Sequence, residues 1–172
     1  MNNLGRGADG LPDEDGAEDE TGHEPLPLAI SINERRLQVR AYNFWTRLLG
    51  DRSLPSIADL DPGALPDFAR CGVLIDFSTG VDDPAIVFIG ESLAAECGSA
   101  ATIRKVSDVP GRSLLSRITD HYMQIVANQA PIGFEAEFVN MRGVDVLYRG
   151  ILLPFSGSGS TVDHIFGVIS WK

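Results

Sequence analysis

From Asn33 to Leu49 the apolar residues Leu37, Ala41, Phe44, Trp45, Leu48 and Leu49 recur at spacings of three and four, the period of one helix face. An amphipathic helix over 33–49 is expected. Asn33 suits its N-cap, Glu34 the positive end of its dipole, and Gly50 its C-terminal stop. The stretch from Asp51 to Gly72 alternates Pro and Gly with short apolar clusters. It reads as two brief helical turns in a connection, with Asp61 before Pro62 as a helix start.

After Gly72 the period changes. Val73–Phe77 and Ala85–Ile89 are short, β-branched and aromatic, and the turn-forming STGVDDP separates them, so they read as a hairpin. Gly90 opens a short helix, ESLAAEC, and a polar loop runs on to Pro110 and Gly111. Ser113 then caps a second clear helix, LLSRITDHYMQIVANQ, in which Leu114, Leu115, Ile118, Tyr122, Ile125 and Val126 share a face. Pro131 and Gly133 mark its exit. Three strands close the chain: FEAEFVN, VLYRGILLPF and HIFGVISW, joined by the turns MRGVD and SGSGSTVD. Connections this short predict an antiparallel meander. In the first of the three, Phe134, Ala136 and Phe138 alternate with Glu135 and Glu137, the mark of a strand with one wet face. The fold class expected is therefore α+β: a five-stranded antiparallel sheet with helices packed on one face, and an N-terminal amphipathic helix in addition.

Charge divides the chain. Residues 1–25 carry eight acidic groups against Arg6 alone, out of a net charge of −10 for all 172 residues. A stretch with so few large apolar side chains does not bury enough surface to offset its ordering entropy. Residues 1–25 are expected to form a disordered acidic tail, and 26–172 one domain, which suits the length. No basic stripe suits nucleic acid. The longest apolar runs fall short of the ~20 residues that cross a bilayer, and the first residues lack a secretory pattern, so a cytoplasmic protein with no membrane span is expected.

The stretches NFWTRLLGDRSLPSIADLDPGAL, IVFIGESLAAECG, HYMQIV and YRGILLPFSGSGSTVDHIFGVISW, in this order, resemble the PAS superfamily. Its order is two strands, a group of helices with one longer member, and a closing three-stranded meander. More narrowly, the FWTRLLGDRSLPS start looks like that of a bacterial single-PAS-domain family that opens with such a helix. The resemblance covers about residues 35–172 and rests on order and spacing. It implies a sensory or scaffold domain and names no ligand.

Chemical motifs narrow the choice further. The light-sensing PAS subclass carries a reactive cysteine in an NCRFLQ-like helix, which neither CGSAAT nor CGVLID reproduces. Cys71 and Cys97 lack CxxC spacing and read as buried thiols. Haem needs an axial ligand aimed into the core. Of His23, His121 and His164 only His121 is a candidate, and Tyr122 beside it takes the apolar face, which disfavours haem. No metal-ligand spacing appears, Asp82-Asp83 being a turn. No GxSxG elbow or paired carboxylates mark a catalytic centre. Arg104, Lys105, Arg112 and Arg117 form the one basic cluster, read as solvated rather than as a phosphate site.

The reading is a non-enzymatic signalling or regulatory module, with no catalytic residues, no metal and no fixed cofactor. Its partner is a signalling protein or a second copy in a homodimer. A small ligand, if one binds, is expected between sheet and helices near Phe88, Tyr122, Phe134, Phe138 and Leu152. Leu37, Ala41, Phe44, Trp45 and Leu48 are expected to make a contact between chains or else to close the core of their own chain. The alternatives are a small-ligand or haem-binding sensor and a small α+β enzyme with an unrecognised pocket. Removing residues 1–25 should leave the fold intact, with the melting temperature within about 4 °C of the full chain; a larger fall in a thermal scan would show that the tail docks on the domain.

Overall fold

The computed structural model describes residues 36–61, 63–98 and 100–172. Asn33 and Glu34, the acidic stretch 1–25 and the domain start at 26 lie outside them. Among the described residues there are five strands: β1 Gly72–Asp76, β2 Ala85–Ile89, β3 Ile132–Val139, β4 Asp145–Phe155 and β5 His164–Trp171. They form one sheet in the order β2-β1-β5-β4-β3 with every neighbouring pair antiparallel. The expected hairpin and meander are therefore both present, and β5 joins them by pairing with β1. By the order of its elements this is the PAS-like α+β fold that the sequence implies.

The sheet has two covered faces. On the inner face lie α2 Glu91–Cys97, α3 Leu114–Thr119 and α4 Tyr122–Asn128, burying Val73, Ile75, Leu93, Leu115, Ile118, Ile125, Leu152 and Ile165. On the outer face lie α1 Leu37–Leu49 and a 3-10 turn, Asp67–Cys71, over Leu74, Ile151, Leu153, Phe155, Phe166 and Val168. Among the described residues no helix is long and apolar enough to cross a membrane.

Three local expectations change. The long helix expected from Leu114 is two helices. The Thr119 hydroxyl donates to the carbonyls of Leu115 and Ser116, at 3.1 and 3.3 Å, and the His121 N–H reaches Ile118 O one residue too early for an α-turn. Such back-bonding tightens and bends a helix. The break lets Ile118 and Ile125 both point into the core. Ser113 caps α3 as expected, in a reciprocal pair with Ser116, while Gln129, in the left-handed region, caps α4 before Pro131 is reached. Asp61 does not start a helix: its carboxylate accepts from the Gly63 N–H, which makes a turn. The two brief helical turns are present, as 3-10 turns at Ile57–Asp59 and Asp67–Cys71.

The third change is in β2. Leu74 pairs with Phe88, but Ile75 pairs with Ile86, so Val87 is an extra residue in a β-bulge, and it is 55% exposed. A bulge resets the alternation of side chains. Ile86 and Ile89 therefore face inward while Phe88 faces outward.

Helix α1 begins at Leu37, without a side-chain cap from Arg36, and ends at Gly50 as expected. Its sheet-facing side is fixed by polar bonds that the apolar pattern does not report. Gln38 donates to Arg149 O and Ser170 Oγ, at 2.6 and 2.7 Å, and Trp45 Nε1 donates to Pro154 O at 2.7 Å. Trp45 is 6% exposed, inside its own chain. Trp45→Ala should therefore cost about 3 kcal/mol or more, the usual loss for a buried large aromatic, read as a lower urea midpoint with an unchanged oligomeric state.

Candidate functional site

Of the five residues expected around a ligand, four come together. Tyr122, Phe134, Phe138 and Leu152 all lie on the inner side, between the sheet and α3–α4. Phe88 does not join them: the bulge at Val87 turns it to the outer side, against Leu74 and the α1 cluster. Sequence alternation alone assigned it to the wrong face.

Two of the four, Phe134 and Phe138, belong to a continuous aromatic cluster. The His121 ring, the one considered for haem, lies 4.8 Å from that of Phe134, and Phe134 and Phe138 meet the edge of Tyr148 at 6.1 and 5.6 Å. The Arg117 guanidinium sits 4.9 Å over the Phe138 ring, a cation–π contact, and pairs with Asp120 at 3.8 Å. Its Nε is shielded and has no hydrogen-bond partner. Tyr122 donates its hydroxyl to Val81 O at 2.7 Å. Burial raises the Tyr122 pKa, and the negative Asp82 and Asp83 add to the rise, so it remains a neutral donor.

At two points on the inner face, side chains fill the room that a glycine leaves. A methyl group added at Gly150 would collide with the Phe134 ring, and one added at Gly167 would meet Ile118 and Leu152. Both glycines lie in the middle of long strands, and the space they leave is already filled. One hollow among the described residues lies elsewhere. It is a concavity of about 600 Å³ bounded by Glu135, Glu137, Leu147, Arg149, Ser170 and Lys172, with Ala136, Tyr148 and Trp171 between them. Leu147 and Arg149 alternate with the inward Val146 and Tyr148, so this is the outer face, beyond the N-terminal end of α1. Arg149 and Glu135 form a paired wall at 2.6 Å. Leu147 is 46% exposed, and Val139, Met141 and Val144 are exposed further along the β3–β4 hairpin.

A second polar group lies at the β1–β5 end. His164 Nδ1 is 2.6 Å from Asp163 Oδ1, and its Nε2 is 3.5 Å from Asp76 Oδ1. Asp163 also accepts from Gly157 N–H, and Asp76 accepts from the Ser78 hydroxyl and N–H. No spacing rule would have found this group, since consecutive residues on a strand point to opposite sides. Asp163 escapes that rule because it precedes β5. Both ring nitrogens of His164 thus face carboxylates, which ties the start of β5 to the end of β1.

The remaining candidates are engaged locally. Arg112 donates to Val139 O and Asn140 O, and Lys105 lies 3.7 Å from Asp83. Arg104 donates to Ile103 O. Cys97 is buried while Cys71 is only half-buried, a correction to the expectation of two buried thiols; burial raises the pKa of both and keeps them protonated. Of the residues expected at a contact between chains, Ala41 and Trp45 are buried in their own chain and Leu37, Phe44 and Leu48 are half-buried beside them.

No family model matches the sequence, and no curated protein matches it. The narrower bacterial PAS family thus finds no support in these comparisons. Among solved structures the chain is similar to the Rhodobacter sphaeroides LOV protein at 12% identity and a TM-score of 0.44, over 58% of this chain and 57% of that one. It is also similar to the LOV domain of an Erythrobacter litoralis blue-light activated histidine kinase, at 12% identity and 0.41 over 58% and 93%. A fungal LOV domain photoreceptor matches at 14% and 0.44 over 77% and 90%. Overlaps this loose add nothing to the fold class, which rests on the strand order, and the light chemistry in those descriptions is theirs.

One group lends itself to a pH test. Burial pushes the Asp76 pKa up, but the hydrogen bonds from Ser78 and the charge of His164 outweigh it, and the net shift is below the ordinary 3.8. A lowered folded pKa stabilises above the unfolded value and is lost as pH falls through the folded one. Ser78→Ala should therefore be less stable than wild type at neutral pH, and urea titrations should show the difference shrinking below about pH 4.

Proposed function

We propose that this chain is a non-enzymatic PAS-type signalling module that acts through protein contacts, made on the outer surface of β3 and β4. The observation that carries this reading is that side chains fill the room left by two glycines of the inner face. Phe134 occupies the room left by Gly150, and Ile118 and Leu152 that left by Gly167, so at these two points the space in which a small molecule was expected holds side chains. The apolar surface open to a partner is outside, at Leu147, Val139, Met141 and Val144, beside the Glu135–Arg149 pair. An apolar strip edged by charged groups is the composition of a protein contact surface. The partner is a signalling protein or a second copy of the chain.

A second reading, a small-ligand sensor, draws on one observation. Arg117 Nε is shielded and unpartnered beside the His121–Phe134–Phe138–Tyr148 cluster, where a planar acceptor would satisfy it. Native mass spectrometry of the protein purified from its own host separates the two. The bare polypeptide mass, a multiple of it, or a complex with a second protein is expected; a small molecule retained at stoichiometric level would replace the contact module with the sensor.

A further inference from the structure

Helix α1 covers only part of the outer face. It packs over Ile151, Leu153, Phe166 and Val168, and Gln38, in its first turn, reaches Arg149 O and Ser170 Oγ. Beyond that line β3 and β4 run on to the turn that joins them. By their register Glu137 stands beside Leu147 and Val139 beside Asp145, so two apolar and two acidic side chains alternate on one patch of sheet. All four residues are exposed. Met141 and Val144, exposed in the turn, extend the apolar part.

Backbone and charge decide what can lie there. Leu147 and Lys172 exchange both of their N–H···O bonds, and β3 pairs with the other side of β4. The strand beneath the patch is thus paired on both sides, and an occupant lying flat on it has to satisfy its own peptide groups. A helix does so and a lone strand does not. The Glu135 carboxylate is taken by Arg149 at 2.6 Å, whereas Glu137 and Asp145 have no ion pair among the described residues. Lys172 stands at the β5 margin of the same hollow. The chain as a whole carries −10, so a second copy would be repelled both here and at longer range, and a partner of opposite sign would be drawn in. We propose that the occupant is an amphipathic helix of a basic partner protein. Its apolar stripe lies on Leu147 and Val139, and its lysines or arginines meet Glu137 and Asp145. The proposal rests on the reading of the outer β3–β4 surface as a contact site and names the chemistry of what that site takes.

Amide NMR of the full chain tests this with a helical peptide of two heptads, leucines on one face and lysines on the other, and a twin in which glutamates replace the lysines. The lysine peptide should shift the amides of Glu137, Val139, Asp145 and Leu147, leave those of Val73–Ile75 in place, and bind more weakly as salt rises. Its glutamate twin should bind at least tenfold more weakly. The lysine peptide should lose at least tenfold on the double variant Glu137→Lys, Asp145→Lys, with the Val73–Ile75 amides reporting an intact fold. Should that variant fail to fold, Leu147→Ser removes the apolar anchor, leaves the charges, and should weaken binding by a similar factor. Equal binding of the two peptides at these amides would overturn the basic partner and leave the contact surface standing. Shifts confined to the acidic residues 1–25 would overturn it too. So would shifts at the four amides on raising protein concentration alone, because a second copy would then be the occupant. No shift on β3 and β4 under any of these conditions would overturn the contact surface itself.

Discussion

Leu152 and Leu153 are neighbours on β4, so their side chains point to opposite faces of the sheet, and neither is exposed to water. The same holds for Ile165 and Phe166 on β5. A sheet whose central strands are apolar on both sides needs two covers. Helices α2 to α4 supply one and α1 with the Asp67–Cys71 turn supplies the other. At about 25 cal/mol per Å² of apolar surface, leaving either side bare would remove several kcal/mol from a domain whose whole stability is of that order. The bonds from Gln38 and Trp45 to strand carbonyls then fix where α1 lies, since burying an indole N–H requires an acceptor and Pro154 O is the one in reach.

Most of this architecture could be read in the sequence because burial imposes a period. The strands alternate or run apolar, α1 repeats at three and four, and the turns carry their own residues. What could not be read depended on single contacts between distant residues. The bulge that turns Phe88 outward adds one residue, Val87, to an otherwise regular AIVFI, and nothing in those five letters marks it. The break between α3 and α4 depends on a Thr119 hydroxyl choosing carbonyls that an uninterrupted helix would also have offered. The Asp163–His164–Asp76 group joins residues 88 positions apart, and only the β1–β5 pairing brings Asp76 opposite His164. The room that Gly150 leaves is visible as a glycine; that the Phe134 ring fills it is not.

The two edges of the sheet differ in a way that bears on contact with other molecules. At β2 the backbone is occupied: Ile86 N–H donates to Arg104 O, and Val106 N–H donates to Pro84 O. At β3 the strand is long and outermost. Glu135 and Glu137 lie along it, the kind of charge that discourages edge-to-edge pairing, and Arg112 holds its C-terminal end through Val139 O and Asn140 O. A partner that added a strand here would have to approach two carboxylates. One that docked face-on would meet Leu147 and the exposed hairpin residues instead.

Face-on docking also fits the mechanics of the sheet. Tyr148 and Leu147 are consecutive, so a contact on the outer Leu147 bears on the strand that carries Tyr148, the edge partner of both Phe134 and Phe138. Those rings in turn touch His121 and Arg117, on either side of the α3–α4 break. A packed interior passes on displacement because it has no voids to absorb it. Were the interior hollow, the same movement would be taken up by the cavity. The filled space beneath Gly150 and Gly167 is thus what would let a contact on one face of this sheet be felt by the helices on the other.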